Sequence, residues 1–211
     1  MLTNRVLVLA LALIVAGGSA AGAADKPVLV RGSIVSLSPS TFTVKTATGL
    51  FTIAYGPKTA FVGADRGSPS DIVPGVFVGI ANMPGAGASR ALEVSVFDEK
   101  MRGVGEGDRP WEAPALHGSR MTNGTVAQPR AMMTNGTVGA TNGAAKAITV
   151  NYKGGSRKIA VNPGTPVVRI APGSAKLLAR NASVFVSAQK LPSGLTARFA
   201  VIGKNGTAVP L

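Results

Sequence analysis

Ile53-Ala54-Tyr55-Gly56-Pro57 and Ile159-Ala160-Val161-Asn162-Pro163 decide the architecture, because each is a short apolar run that passes directly into a turn ending in proline. A threonine follows at the same distance in both, Thr59 and Thr165. Matches continue in order on either side. Gly32-Ser33-Ile34 aligns with Gly136-Thr137-Val138, Phe42-Thr43-Val44 with Ile148-Thr149-Val150, Val76-Phe77-Val78 with Val184-Phe185-Val186, and Val94-Ser95-Val96 with Phe199-Ala200-Val201. Order and spacing are those of an internal repeat with a unit of about 70 residues.

The repeat is built of strands. Alternating or β-branched runs bounded by Gly, Pro and Asn predict Val28–Leu37, Thr41–Thr46, Leu50–Tyr55, Gly75–Ala81 and Ala91–Phe97 in the first half. The second half predicts Asn135–Ala140, Ala147–Tyr152, Arg157–Val161, Ala182–Ala188 and Thr196–Ile202. Between the third and fourth strands, Ser68–Val73 and Gly173–Leu178 each suit one helical turn, with a Ser N-cap and, in the first, Pro69 near N1. Five strands with a short helix after the third is the layout of an OB fold. The expectation is all-β, with two tandem OB-like five-stranded small barrels; a single ten-strand sandwich uses the same strands.

Arg5, the apolar run Val6–Ala16 and the small residues Gly17–Ala24 have the order of a cleavable export signal, and the apolar run is short for a membrane span. Cleavage near Ala24 delivers the remainder to the periplasm or the exterior. The domain plan is then 1–24 signal peptide, 25–98 first OB-like domain, 99–132 connector and 133–211 second OB-like domain. The connector is rich in Gly and Pro and repeats Met-Thr-Asn-Gly-Thr-Val at 121–126 and 133–138, so the first copy is a candidate additional strand.

Composition excludes several chemistries. With no Cys and one His among 211 residues, disulfide scaffolds, thiol catalysis, Fe–S clusters and multi-imidazole metal sites are ruled out. An apolar content of 45% against 15% charged residues is that of a packed chain rather than a disordered one.

Gly32 to Val96 and Gly136 to Val201 carry a family resemblance, together with Met101-Arg102-Gly103-Val104-Gly105-Glu106-Gly107-Asp108-Arg109-Pro110-Trp111 and Met133-Thr134-Asn135-Gly136-Thr137-Val138. They resemble an exported proteobacterial family of unknown function with OB-like repeats. Some of its members are labelled metal-transporter permeases. A permease requires several spanning helices, and the sequence has no spanning-length run after its leader. The resemblance implies fold and location and brings no catalytic residues.

Enzymatic motifs are missing. His117 lies in a Gly/Pro-rich stretch with no Gly-x-Ser-x-Gly elbow, and Gly103–Gly107 lacks the Lys-Ser/Thr of a phosphate loop. Carboxylates at Glu93, Asp98, Glu99, Glu106, Asp108 and Glu112 read as partners of Lys100, Arg102 and Arg109 rather than as a glycosidase pair. The chain is therefore expected to be non-enzymatic. One alternative is periplasmic Cu(I) handling by Met101, His117, Met121, Met132 and Met133, since thioether and imidazole suit that ion.

Charge is the broadest signal. The whole chain has 22 Lys+Arg against 9 Asp+Glu, and residues 113–211 hold no acidic residue at all. Lys153, Arg157, Lys158, Arg169, Lys176, Arg180, Lys190 and Arg198 are the candidate anion-binding residues, expected to make the second barrel basic. Candidate partners are phospholipid headgroups, lipopolysaccharide, acidic wall polymers or another protein. Export and the scarcity of aromatics in that half argue against nucleic acid.

Overall fold

A computed structural model describes residues 27–111, 117–128 and 146–210. Its described residues are all-β, with thirteen strands and three single 3-10 turns, and contain no helix long and apolar enough to cross a membrane. β1 (Val28–Leu37), β2 (Thr41–Thr46) and β3 (Gly49–Ala54) form an antiparallel meander. Along β1 the period-2 pattern buries Val30 and Ile34 and turns Leu29, Arg31 and Ser33 outward. Gly32 is required where β1 bends over β2, because a Cβ there would lie 2.0 Å from the Lys45 carbonyl oxygen.

β12 (Ser183–Leu191) and β13 (Gly194–Gly203) close this meander into a five-stranded barrel. β12 runs antiparallel to β1, with Val28 opposite Ala188, and β13 runs parallel to β3, with Leu195 opposite Ile53. The ring order is therefore β1–β2–β3–β13–β12. Ile34, Phe42, Val44 and Ile53 meet Val184, Val186, Ala200 and Ile202 in one core. Burying a side chain the size of Phe42 contributes roughly 1.5–3 kcal/mol, which makes this contact between chain halves a main source of the barrel's stability.

A second ring of pairings repeats the first with the halves exchanged. β8 (Arg120–Val126), β9 (Lys146–Tyr152) and β10 (Gly155–Val161) supply its meander, while β5 (Phe77–Met83) and β6 (Ser89–Phe97) close it. β8 pairs with β9 and β5, β5 with β6, and β6 runs parallel to β10. Its core joins Val78, Ile80 and Val94 to Val126, Ile148, Val150 and Ile159.

The chain crosses between rings along β4 (Ala60–Arg66) and β11 (Val167–Pro172). β4 runs beside β13, β11 beside β6, and the two pair antiparallel with Ala64 opposite Ile170. Those residues are repeat equivalents, so a pseudo-two-fold axis passes between them. Around it Val62, Val168, Val201 and Met101 form a third core. Each crossover then makes a 3-10 turn: Pro69–Asp71 capped by Ser68 with a complete capping box, and Ala175–Leu177 capped by Ser174.

Nine of the ten predicted strands are present within a few residues of their expected ends; Asn135–Ala140 and the export signal lie outside the described residues. The domain division at 25–98 and 133–211 does not follow the pairings, because the first ring takes β12 and β13 from 133–211, while the second takes β5 and β6 from 25–98 and β8 from the expected connector 99–132. β4 and β11 are not among the predicted strands, and they form because each finds a partner on both sides between the rings.

Three repeat alignments shift. Gly124-Thr125-Val126, not Gly136-Thr137-Val138, stands where Gly32-Ser33-Ile34 stands: a Cβ at Gly124 would lie 2.2 Å from the Asn151 carbonyl oxygen, the counterpart of the Lys45 contact. Val78 corresponds to Val184 and Val94 to Ala200, since each pair has the same neighbours and the same bulge follows in both hairpins. The fifth-strand alignment was off by one residue, which would turn the wrong face inward.

Candidate functional site

The pseudo-symmetry supplies a comparison that one sequence otherwise lacks. Where both rings keep apolar residues, packing explains them. Where one ring is polar at a position that is apolar in the other, another reason is needed. At one end of the first ring Val28, Val30, Phe51, Ala188 and Leu195 line the interior. Their equivalents in the second ring are Arg120, Thr122, Arg157, Asn82 and Ser89.

These polar residues converge on Asp108. It lies on β7 (Gly107–Pro110), which pairs antiparallel with the first half of β8, placing Asp108 opposite Thr122. The Asp108 carboxylate accepts hydrogen bonds from Arg120 Nε at 2.8 Å, from Thr122 Oγ1 at 2.7 Å, and from Arg157 Nη2. Arg157 Nη1 donates to Ser89 Oγ, and Asn82 Nδ2 donates to Thr122 Oγ1. The Asp108 side chain is only 7% exposed. Burial pushes its carboxyl up, but hydrogen bonds from Thr122, Arg157 and Arg120 and the Arg157 charge outweigh that and hold it below its ordinary value. Asn82 Oδ1, Asn123 Oδ1, Trp111 Nε1 and Arg157 Nε are buried without a hydrogen-bond partner among the described residues, so the network is incompletely satisfied.

The candidate anion-binding residues do not gather on one ring. Arg157 and Lys158 lie on β10 and Lys153 in the β9–β10 turn, while Lys190 is on β12 and Arg198 on β13 in the other ring. Lys176 lies within the turn that packs against the first core and Arg180 just after it, and Arg169 on β11 lies opposite Asp65. Seven of the eight are exposed; Arg157 is partly buried and engaged with Asp108. The expected basic second half is thus divided between rings by the exchange of strands.

Both rings carry basic strands, and it is the acidic residues that are distributed by ring. The strands of the first ring carry Arg31, Lys45, Lys190 and Arg198 and no Asp or Glu. The strands of the second ring carry Arg90, Arg120, Lys146, Arg157 and Lys158, together with Glu93 on β6 and Asp108 at the ring's end. Of the six exposed large apolar residues among those described, Leu29, Leu37, Leu50 and Leu191 also lie on the first ring. Leu50 and Leu191 sit at the tips of the β2–β3 and β12–β13 hairpins, beside Lys45 and Lys190.

Among the metal-ligand candidates, Met101 is buried in the core between the rings, Met121 lies on β8 opposite Arg109, and His117 occupies an exposed turn. Met132 and Met133 lie outside the described residues. No His/Asp/Glu group that could hold a metal ion occurs among the described residues. A cleft of about 340 Å³ beside the crossing strands is lined by Asp65, Arg169, Leu177 and Lys204, and its Lys204 is paired with Asp65.

No family model, no curated protein and no solved structure matches this chain. The Asp108 network escaped the sequence reading because its members come from five separate strands. Its only local trace was the charged cluster Glu106-Gly107-Asp108-Arg109.

Proposed function

We propose that the protein is an exported, non-enzymatic binding module of the cell envelope, made of two OB-like barrels that exchange their last two strands. Its acid-free barrel, β1–β2–β3–β13–β12, meets an anionic envelope component such as phospholipid headgroups. The observation that carries this reading is the absence of Asp and Glu from five strands that hold Arg31, Lys45, Lys190 and Arg198. Exposed Leu50 and Leu191 beside Lys45 and Lys190 add the pairing of apolar tip and cation that suits a lipid interface. The export-like leader supports the location, and the barrel order, with its third and fifth strands parallel, supports the OB-like assignment.

Co-sedimentation with phosphatidylglycerol and phosphatidylcholine vesicles across a salt series tests it. Binding to the anionic vesicles alone, weakening as salt rises, is expected. Lys45→Glu with Lys190→Glu should abolish it, whereas Lys153→Glu with Lys158→Glu on the other barrel should leave most of it. No binding at low salt, or equal loss from both pairs, overturns the reading.

A further inference from the structure

The two rings differ at one strand edge. β1 and β8 each pair along one side with a closing strand, and on the other side meet the next strand of the meander only from Ser33 and Thr125 onward. In the second ring the vacant edge of Arg120–Asn123 is filled by β7. In the first ring the equivalent edge, Val28–Arg31, pairs with no strand among the described residues. A cleft of about 240 Å³ lies along it, between β1 and the β2–β3 hairpin, walled by Val28, Val30, Arg31, Thr48 and Phe51.

We propose that this edge is a docking site for an extended peptide of another protein, added as a strand antiparallel to β1. The occupant's chemistry follows from β7. Asp108 turns inward there because Arg120, Thr122 and Arg157 receive its carboxylate; at the matching positions of the first ring stand Val28, Val30 and Phe51, so the docked residue opposite Val30 is apolar. Gly107 lies opposite Asn123, whose equivalent is the exposed Arg31, so the docked residue opposite Arg31 is acidic. Arg31 already donates from Nη1 to the Val209 carbonyl at 3.2 Å, lies over the Phe185 ring and feels the charge of Glu93, so a docked acid adds to those partners rather than filling an empty place. The backbone is oriented for pairing: Ile34 exchanges both backbone hydrogen bonds with the β12 side, through Ala182 and Asn181. By alternation Leu29 and Arg31 present their N–H and C=O groups to the open edge. This site rests on strand pairing and goes beyond the anionic-surface reading, which rests on charge.

The probe is fluorescein-labelled Thr-Glu-Val-Thr-Val-Thr, titrated with the whole protein and followed by anisotropy. Saturable binding with half-saturation below about 1 mM is expected. Replacing the first Val of the peptide by Asp should weaken binding at least fivefold. Leu29→Pro removes an edge N–H while sparing the β12 ladder, and should do the same with an unchanged melting temperature. Should that variant fail to fold, the peptide supplies the same test: N-methylation of its Glu and central Thr should abolish binding, and N-methylation of its first Val should not. Absence of binding, indifference to Asp or to N-methylation position, or a dimer that Leu29→Pro dissolves without any peptide binding overturns the proposal. Vesicle binding is measured separately, so either reading can fail while the other stands.

Discussion

The two rings share strand order, register and bulges but not the chemistry of their ends. The first ring has an apolar interior from end to end, with exposed leucines and an edge that pairs with no strand among the described residues. The second ring replaces Val28, Val30 and Phe51 by Arg120, Thr122 and Arg157, and covers them with β7. Below, the trend reverses. Phe42, Tyr55 and Phe61 pack together in the first ring, Phe42 tilted against Tyr55 at a centroid distance of 5.9 Å and Tyr55 edge to face with Phe61 at 5.6 Å. Their equivalents Ile148, Val161 and Val167 are smaller, and a pocket of about 270 Å³ lined by Ile72, Ile148 and Val161 remains. One backbone plan thus tolerates either an aromatic or an aliphatic base, and either an apolar or a charged end, provided each buried polar group has partners.

The largest test of this equivalence is at the two bends. Gly32→Ala and Gly124→Ala each drive a Cβ into a backbone carbonyl, and both should lose about 3 kcal/mol or more, or fail to fold. A chemical-denaturation series in which only one of them matters would break the symmetry.

Next in size is Asp108→Ala, which leaves Arg120 and Arg157 facing each other without a counter-charge. A loss of about 2–3 kcal/mol at neutral pH is expected, below the value for a fully buried pair because both arginines are partly exposed. Acid sharpens the same point. Because the folded carboxyl is held below its ordinary 3.8, its stabilisation is complete above that value and disappears as pH falls through the folded one. Urea midpoints between pH 5 and 2 should fall more for the native protein than for Asp108→Asn.

Val161→Tyr restores at the base of the second ring the aromatic that Tyr55 supplies in the first. Filling the pocket should stabilise by about 1 kcal/mol, visible as a higher melting temperature; a decrease would mean that the second base has relaxed around its smaller residues. Smallest is the cap comparison. Ser68→Ala breaks a capping box and should cost about 1 kcal/mol, and Ser174→Ala, whose turn has no such box, should cost less.

Much of the fold was legible locally. Period-2 burial in Val28–Leu37, the β2–β3 hairpin and the serine caps can be read from neighbours in the chain, because alternation and capping are local properties. The one-residue and two-residue slips in the fourth- and fifth-strand alignments show the limit. Val, Ala and Phe recur too often there for a match to fix register, which pairing and bulges decide. The Asp108 site lay further out of reach, since Asn82, Ser89, Thr122 and Arg157 are ordinary surface-type residues until five strands bring them to one carboxylate.

The sequence by itself determined the all-β class, the duplication, the capped turns and the charge imbalance along the chain. Only the tertiary structure decided which strands share a core. Alternation tells each strand which face to bury but not against which partner, and β5–β6 or β12–β13 satisfy their apolar faces equally in either ring. Pairing of β4 with β11 carries the chain across the axis and selects the exchanged arrangement. That exchange gathers Arg31, Lys45, Lys190 and Arg198, distant in sequence, on strands without an acid, and among the described residues leaves the β1 edge unpaired where β7 closes the other ring.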